Sequence, residues 1–287
     1  MLTQVKYLVS FKLPILALIQ IPTIMKSISS RCIVFITGAF VTHQGWDPWR
    51  TFFESKGYKT SAPPWPFKEG EPLELRAKHP AGNPGLASLT LSELIDSYID
   101  AVKSMPEKPI VIGHSLGGMI AQIILNRGLA EAAVAIHPAP PLGIVPYEFS
   151  FLRGGGKSLG LFTSIRKTYL MSFSDFQYAF VNGMDLEKQK VAYEENAIPE
   201  SKTVTRGGLT KQAAIDWSKP HGPLLITSGS EDTIIPASMN RRNFKKYSRN
   251  NGSITEYKEF PGRNHYVLGQ PTWIEDAEYI LDWIAKT

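Results

Sequence analysis

Residues 109–118 read Pro-Ile-Val-Ile-Gly-His-Ser-Leu-Gly-Gly. The apolar run Ile110-Val111-Ile112 has the length and β-branching of a buried strand. Met119 to Leu125 continues as an apolar helical stretch. Between them lies Gly113-His114-Ser115-Leu116-Gly117, a G-x-S-x-G pattern in a strand-turn-helix setting. That setting places a serine on a sharp turn, with its hydroxyl clear of the sheet. Glycines two before and two after leave room where a Cβ would meet neighbouring backbone. Ser115 is therefore the candidate nucleophile.

The rest of the chain repeats strand and helix. Cys32 to Ile36 reads as a buried strand ending at Thr37-Gly38. Trp46 to Lys56 reads as a helix stopped by Gly57, and Tyr58 to Ala62 as a short strand. Pro63 to Leu89, rich in Pro and Gly, is expected to be a long loop. Thr90-Leu91-Ser92-Glu93 is a capping box opening a helix to about Met105. Further strands are expected at Ala132–Ile136, Pro223–Thr227 and Ile254–Phe260, with helices at Ser238–Tyr247 and Pro271–Ala285. Such alternation predicts an α/β fold, a mostly parallel sheet with helices on both faces. Residues 141–220 break the rhythm and read as an inserted helical lid. Gly154-Gly155-Gly156 inside it reads as a hinge or plain loop. The core is then residues 31–140 and 221–287.

Composition narrows the function. With 43% hydrophobic and 20% charged residues, 287 residues suit one large core. A net charge of +5, from 31 basic and 26 acidic residues, is a mild excess. Arg241 to Lys246 is read as a solvated helix face, and no nucleic-acid partner is expected. The single cysteine, Cys32, excludes an internal disulfide and a multi-cysteine metal site. Residues 1–30 are read as a segment outside the core. Their uncharged run Leu13 to Met25 is broken by Pro14 and Pro22 and is too short for a stable membrane span. A cytoplasmic location is expected, with a secretory signal in residues 1–30 or a true start at Met25 as the alternatives.

Serine needs a base to take its proton, and the base needs a carboxylate to hold it. After the Pro223–Thr227 strand come Glu231 and Asp232. After the Ile254–Phe260 strand comes His265, in Pro-Gly-Arg-Asn-His. Residues just beyond the carboxyl ends of parallel strands meet at one sheet edge. His114 is read as support beneath the elbow. His43, His79, His137 and His221 show no ligand spacing, so no metal is assigned. Gly154 to Gly156 lacks the context of a phosphate loop, and no cofactor is expected.

From about Arg31 to the C-terminus, these features resemble the α/β-hydrolase fold family, in its serine (esterase- or lipase-like) branch with a lid. The run Gly229 to Pro236 is similar to that family's acid loop, and the match to Pro236 favours Asp232 over Glu231. The resemblance implies Ser115 as nucleophile, His265 as general base and acid, and Asp232 as the residue orienting the imidazole. It also implies an oxyanion hole of backbone N–H groups from Leu116 and from the loop after the first strand. That loop here is Thr37-Gly38-Ala39-Phe40, with threonine where the family often has histidine. Ala39 is the expected donor, and Phe40 is the neighbouring candidate. Aromatic residues gather around the site, and Phe40, Trp65, Phe176 and Phe180 are candidates for an apolar substrate pocket. The expected reaction is hydrolysis of a small, moderately apolar carboxylic ester through an acyl-enzyme. Lipase or lysophospholipase, C–C bond hydrolase, amidase and perhydrolase chemistry use the same three residues. A small-molecule receptor on the same fold is the non-catalytic alternative. Oligomeric state is left open.

Overall fold

Buried apolar runs become the strands of one sheet, and the alternation of their side chains divides the core in two. The computed structural model describes residues 27–160 and 163–287. Expectations for residues 1–26 lie outside the described residues. Strand β1 (Cys32–Ile36) leads through a 3-10 turn at His43–Trp46 into α1 (Asp47–Ser55), and β2 (Lys59–Ser61) follows. Next come α2 (Pro72–Ala77), α3 (Pro84–Ser88) and α4 (Leu91–Lys103). Strand β3 (Ile110–His114), α5 (Leu116–Asn126) and β4 (Ala132–Ile136) complete the first half. The region 141–220 carries α6 (Phe149–Leu159), α7 (Phe173–Ala179), α8 (Leu186–Asn196) and α9 (Lys202–Gly207). Then β5 (Leu224–Gly229), α10 (Ala237–Lys246), β6 (Thr255–Phe260) and α11 (Trp273–Lys286) close the chain.

The sheet runs β2-β1-β3-β4-β5-β6, and every pairing is parallel. Successive side chains point to opposite faces. Val34, Ile36, Val111, Ala133 and Ile226 therefore join a core shared with α4, α5 and the helices of 141–220. Ile33, Phe35, Ile112, Val134 and Leu225 face the other way, onto α1 and α11. Burial on both faces explains why these strands read as unbroken apolar runs. The Thr90–Glu93 capping box forms in both directions at the start of α4. Cys32 is a buried strand residue.

Two expectations are corrected. Residues 63–89 are not all loop, since α2 and α3 form there. Pro72 and Pro84 open these helices, where proline's missing N–H has no partner to lose. Gly154-Gly155-Gly156 is helical, inside α6. Gly154 is buried against Ile234, where a Cβ would make ordinary contact at 3.4 Å. Tertiary packing overrides the poor helix propensity of glycine here. No helix of the described residues is long and apolar enough to cross a membrane.

Candidate active site

Strands β3, β5 and β6 end at the same edge of a parallel sheet, and each delivers one functional side chain there. Ser115 follows β3 directly, with φ 57° and ψ −122°. A non-glycine residue in that region costs about 1–3 kcal/mol and persists only when its surroundings hold it. Ser115 N–H donates to Ile136 O at 2.9 Å, and Ser115 O accepts from Gly118 N and Ala139 N, each at 2.9 Å. The flanking glycines are steric requirements. A Cβ on Gly117 would lie 2.1 Å from Ile36 O, and one on Gly113 would lie 2.1 Å from Gly117 O.

Asp232 lies in the loop after β5, and His265 in the loop after β6. Ser115 Oγ lies 3.0 Å from His265 Nε2, and His265 Nδ1 lies 2.7 Å from Asp232 Oδ2. The carboxylate accepts at Nδ1, so Nδ1 carries the proton and Nε2 is left to accept from the hydroxyl. Asp232 Oδ1 accepts from Ile235 N–H at 2.7 Å, which locks the carboxylate plane. Burial works to raise the Asp232 carboxyl, but His265 and His137 outweigh it and hold it well below the ordinary carboxylate range. Glu231 is solvent-exposed and bonds Ser230 instead.

His137 was not expected at this site. It follows β4 with φ 43°, and its Nδ1 donates to Asp232 Oδ2 at 2.9 Å, beside the bond from His265. Its place directly after a central strand was the available signal. Spacing to other metal-binding residue types, the criterion applied to it, carries no such information. His137, Asp232 and His265 also form the one group of possible metal ligands among the described residues, with donor atoms within 4.8 Å of one another. Their hydrogen bonds account for that closeness: both Nδ1 atoms face the carboxylate, and His265 Nε2 faces Ser115. His114 is buried, with its ring centre 4.7 Å from that of His265. Burial, then His265 and His137, push its pKa well below 6.5, so it is neutral.

The turn after β1 packs against the serine. A Cβ on Gly38 would lie 2.8 Å from Ser115 Cβ. Among the described residues neither Leu116 N–H nor Ala39 N–H donates a hydrogen bond. Phe40 N–H is taken: it donates to Glu200 Oε2 at 2.9 Å. Leu116 opens α5, where the helix dipole favours negative charge. Thr37 is held without the histidine often found there. Its N–H donates to Tyr98 Oη at 3.1 Å, and its carbonyl accepts from Trp65 Nε1 at 3.0 Å.

The four aromatic candidates divide. Phe40 lines a cavity of about 130 Å³ together with Ser115, Leu116 and Ala39. Phe180 lines a second cavity of about 540 Å³, and its ring forms a T-shaped pair with that of His265 at 4.9 Å between centres. Phe176 and Trp65 line neither. Phe176 is fully buried and stacks behind Phe180 at 4.8 Å. Trp65 lies beneath the β1 turn with Lys68 Nζ 3.7 Å above its ring. Lys68 in turn pairs with Glu200 at 2.5 Å, both side chains buried.

A parallel α/β sheet carrying hydroxyl, imidazole and carboxylate in line at its carboxyl edge has the architecture of a hydrolase. The chain belongs to the alpha/beta hydrolase family, whose model matches residues 33–277. Three solved structures illustrate the fold. The first is a monoacylglycerol lipase of Paleococcus ferrophilus, 19% identical with a TM-score of 0.62, covering 89% of this chain and 94% of its own. An extracellular alpha/beta-hydrolase from a Paenibacillus species is 20% identical with a TM-score of 0.62, covering 88% and 98%. A methylesterase from Arabidopsis is 12% identical with a TM-score of 0.60, covering 89% and 99%. No curated protein sequence matches the chain.

Proposed function

We propose that this chain is a serine hydrolase that cleaves a carboxylic ester of a moderately apolar small molecule through an acyl-enzyme. The observation that carries the reading is the unbroken line Ser115 Oγ–His265 Nε2–Nδ1–Asp232 Oδ2, at 3.0 and 2.7 Å. Ser115 Oγ attacks the carbonyl carbon as His265 Nε2 takes the hydroxyl proton. The carbonyl electron pair moves onto oxygen, where Leu116 and Ala39 N–H groups stabilise it. Collapse of the tetrahedral species breaks the bond to the alcohol oxygen, and His265 returns the proton to that oxygen. Water then repeats the sequence on the acyl-serine, releasing the carboxylic acid and restoring Ser115. Asp232 holds the imidazole in the tautomer this needs and stabilises the imidazolium. Residues 141–220 serve as a lid: Phe151 and Leu159 of α6, with Thr205 of α9, wall the cavity at Ser115.

The test is a p-nitrophenyl ester assay with Ser115→Ala and His265→Ala, alongside labelling by a fluorophosphonate probe. Both variants should keep the fold and lose turnover by about 10³-fold or more, and the probe should label wild type but not Ser115→Ala. Unchanged rates in His265→Ala, or equal labelling of the alanine variant, would overturn the reading.

A further inference from the structure

Ser115 and His265 line two different cavities. The 130 Å³ cavity is bounded by Ser115 and by Leu116 and Ala39, whose N–H groups await the oxyanion. The 540 Å³ cavity is bounded by His265. Ser115 lines the smaller cavity and His265 the larger, and 3.0 Å separates Ser115 Oγ from His265 Nε2. The four substituents of the tetrahedral carbon must be shared between these spaces. One is Ser115 Oγ and one is the oxyanion. The leaving oxygen must reach His265 Nε2 to be protonated. The alcohol therefore extends toward the His265 side, and the acyl chain is left to the smaller cavity.

That smaller cavity is apolar, and α6 forms one of its walls. A cavity of roughly 150 Å³ lined by aliphatic and aromatic groups holds one benzene. At about 130 Å³, this one has room for about six heavy atoms. Phe151 supplies part of the wall, and Gly155 and Gly156 supply another part. A Cβ at Gly156 would meet nothing within 4 Å, so the space beside it is open. Each glycine inside a helix costs about 1 kcal/mol relative to alanine. Glycines in α6 thus give up helix stability where a side chain would occupy the cavity. The larger cavity carries polar groups instead, among them Gln44, Arg76, Glu195 and Asn196.

We propose that the substrate is an ester of a short acyl group, no larger than hexanoyl or benzoyl, with a bulkier and more polar alcohol, and that the glycines of α6 set the acyl limit. This rests on the ester-hydrolase reading above. It is tested with p-nitrophenyl esters from acetyl to dodecanoyl, and with butanoyl esters of methanol and of a hexose. Wild type, Phe151→Ala and Gly156→Leu are compared, with circular dichroism on each. In wild type, kcat/KM should peak at about four to six carbons and fall about tenfold or more by ten, since one methylene too many in an apolar pocket costs about that much. The hexose ester should be cleaved faster than the methyl ester. Phe151→Ala should move the optimum to longer chains. Gly156→Leu should lower the hexanoyl-to-acetyl ratio by about tenfold. A flat profile to dodecanoyl overturns this proposal alone, as does a preference for the methyl ester or an optimum unmoved in two folded variants. No turnover of any ester, with no labelling of Ser115, overturns the ester-hydrolase reading and the acyl limit with it.

Discussion

Glu200 comes from the region 141–220, yet it holds the turn carrying Ala39 N–H, the donor proposed for the oxyanion. Its Oε2 accepts from Phe40 N–H at 2.9 Å and from Lys68 Nζ at 2.5 Å, and its Oε1 accepts from Ser201 N–H at 2.7 Å. Glu200→Gln keeps the shape and removes the charge. An amide has one acceptor and one donor end, so its NH₂ must face a donor at one of these places. The ammonium of Lys68, 3% exposed, also loses its counter-charge. Breaking a buried ion pair from one side costs about 3–5 kcal/mol. Burial already lowers the Lys68 pKa, with Glu200 opposing that shift. Without the carboxylate, Lys68 loses its proton, which caps the cost near the low end, about 3 kcal/mol. The turn then moves, and Ala39 N–H with it. Loss of one oxyanion donor lowers kcat about 10²–10³-fold, so a displaced donor should lower it by about 10²-fold with little change in KM. Urea unfolding and ester kinetics measure the two effects. In a cycle with Lys68→Met, the double variant should be more stable than the sum of the single losses by about 2 kcal/mol. A loss under about 1 kcal/mol in Glu200→Gln, with kcat within twofold of wild type, would refute the reasoning.

Three further outcomes are expected. His137→Ala removes one of two imidazole donors to Asp232 and opens a buried space; it should cost about 3 kcal/mol in urea unfolding, and a loss below about 1 kcal/mol would show that the second histidine is idle. Gly38→Ala places a Cβ 2.8 Å from Ser115 Cβ and 2.9 Å from His114 O, so kcat should fall about 10²-fold in a protein with unchanged circular dichroism; a loss within threefold would contradict the close packing of the turn. Glu148 is raised by burial but lowered more by Arg242 and Ser238, and stands at about 2. Its folded pKa lies below the ordinary carboxylate value, so its stabilisation is complete above that value and is lost as pH falls through the folded one. The Tm difference between wild type and Glu148→Gln should therefore be largest above pH 5 and shrink toward pH 2; a difference independent of pH would count against the Glu148–Arg242 contact.

What could be read from the chain, and what could not, follows the range of the interactions. Strands buried on both faces must be continuously apolar, so β1, β3, β4 and β5 stood out as short runs of that kind. A capping box is complete within four residues, and Thr90 and Glu93 announced the start of α4. The elbow was legible because its steric demands fall within five residues, from Gly113 to Gly117. The rule that loops after parallel strands share an edge brought His265, Glu231 and Asp232 to the site, and the resemblance of Gly229 to Pro236 to the family's acid loop favoured Asp232. The bond from His137 to Asp232 spans 95 residues, and the Lys68–Glu200 pair spans 132. His137 directly follows β4, so the edge rule reaches it although nothing local names its partner; the Lys68–Glu200 pair leaves no local pattern, because one buried polar residue satisfied by another far along the chain looks like any isolated polar residue. The four aromatic candidates divide for a related reason. Composition brings Trp65, Phe176, Phe40 and Phe180 to the right region, but only the backbone decides which rings face a cavity and which face each other.

The glycines of α6 show where local propensity misleads in an informative way. Three successive glycines argue against helix by about 1 kcal/mol each, and on local grounds the segment reads as a loop. The helix forms because its flanks are held. Glu148, just before α6, bonds Ser238 and Arg242, and Arg206 of α9 donates to Leu159 O at its end. Between those anchors, Gly154 packs on Ile234 while Gly155 and Gly156 face the space beside Ser115. A local rule broken inside a well-anchored element points to a demand from elsewhere in the structure. On the proposed function the demand is room for an acyl group, and a larger side chain at Gly156 should raise the stability of α6 while narrowing what Ser115 can accept.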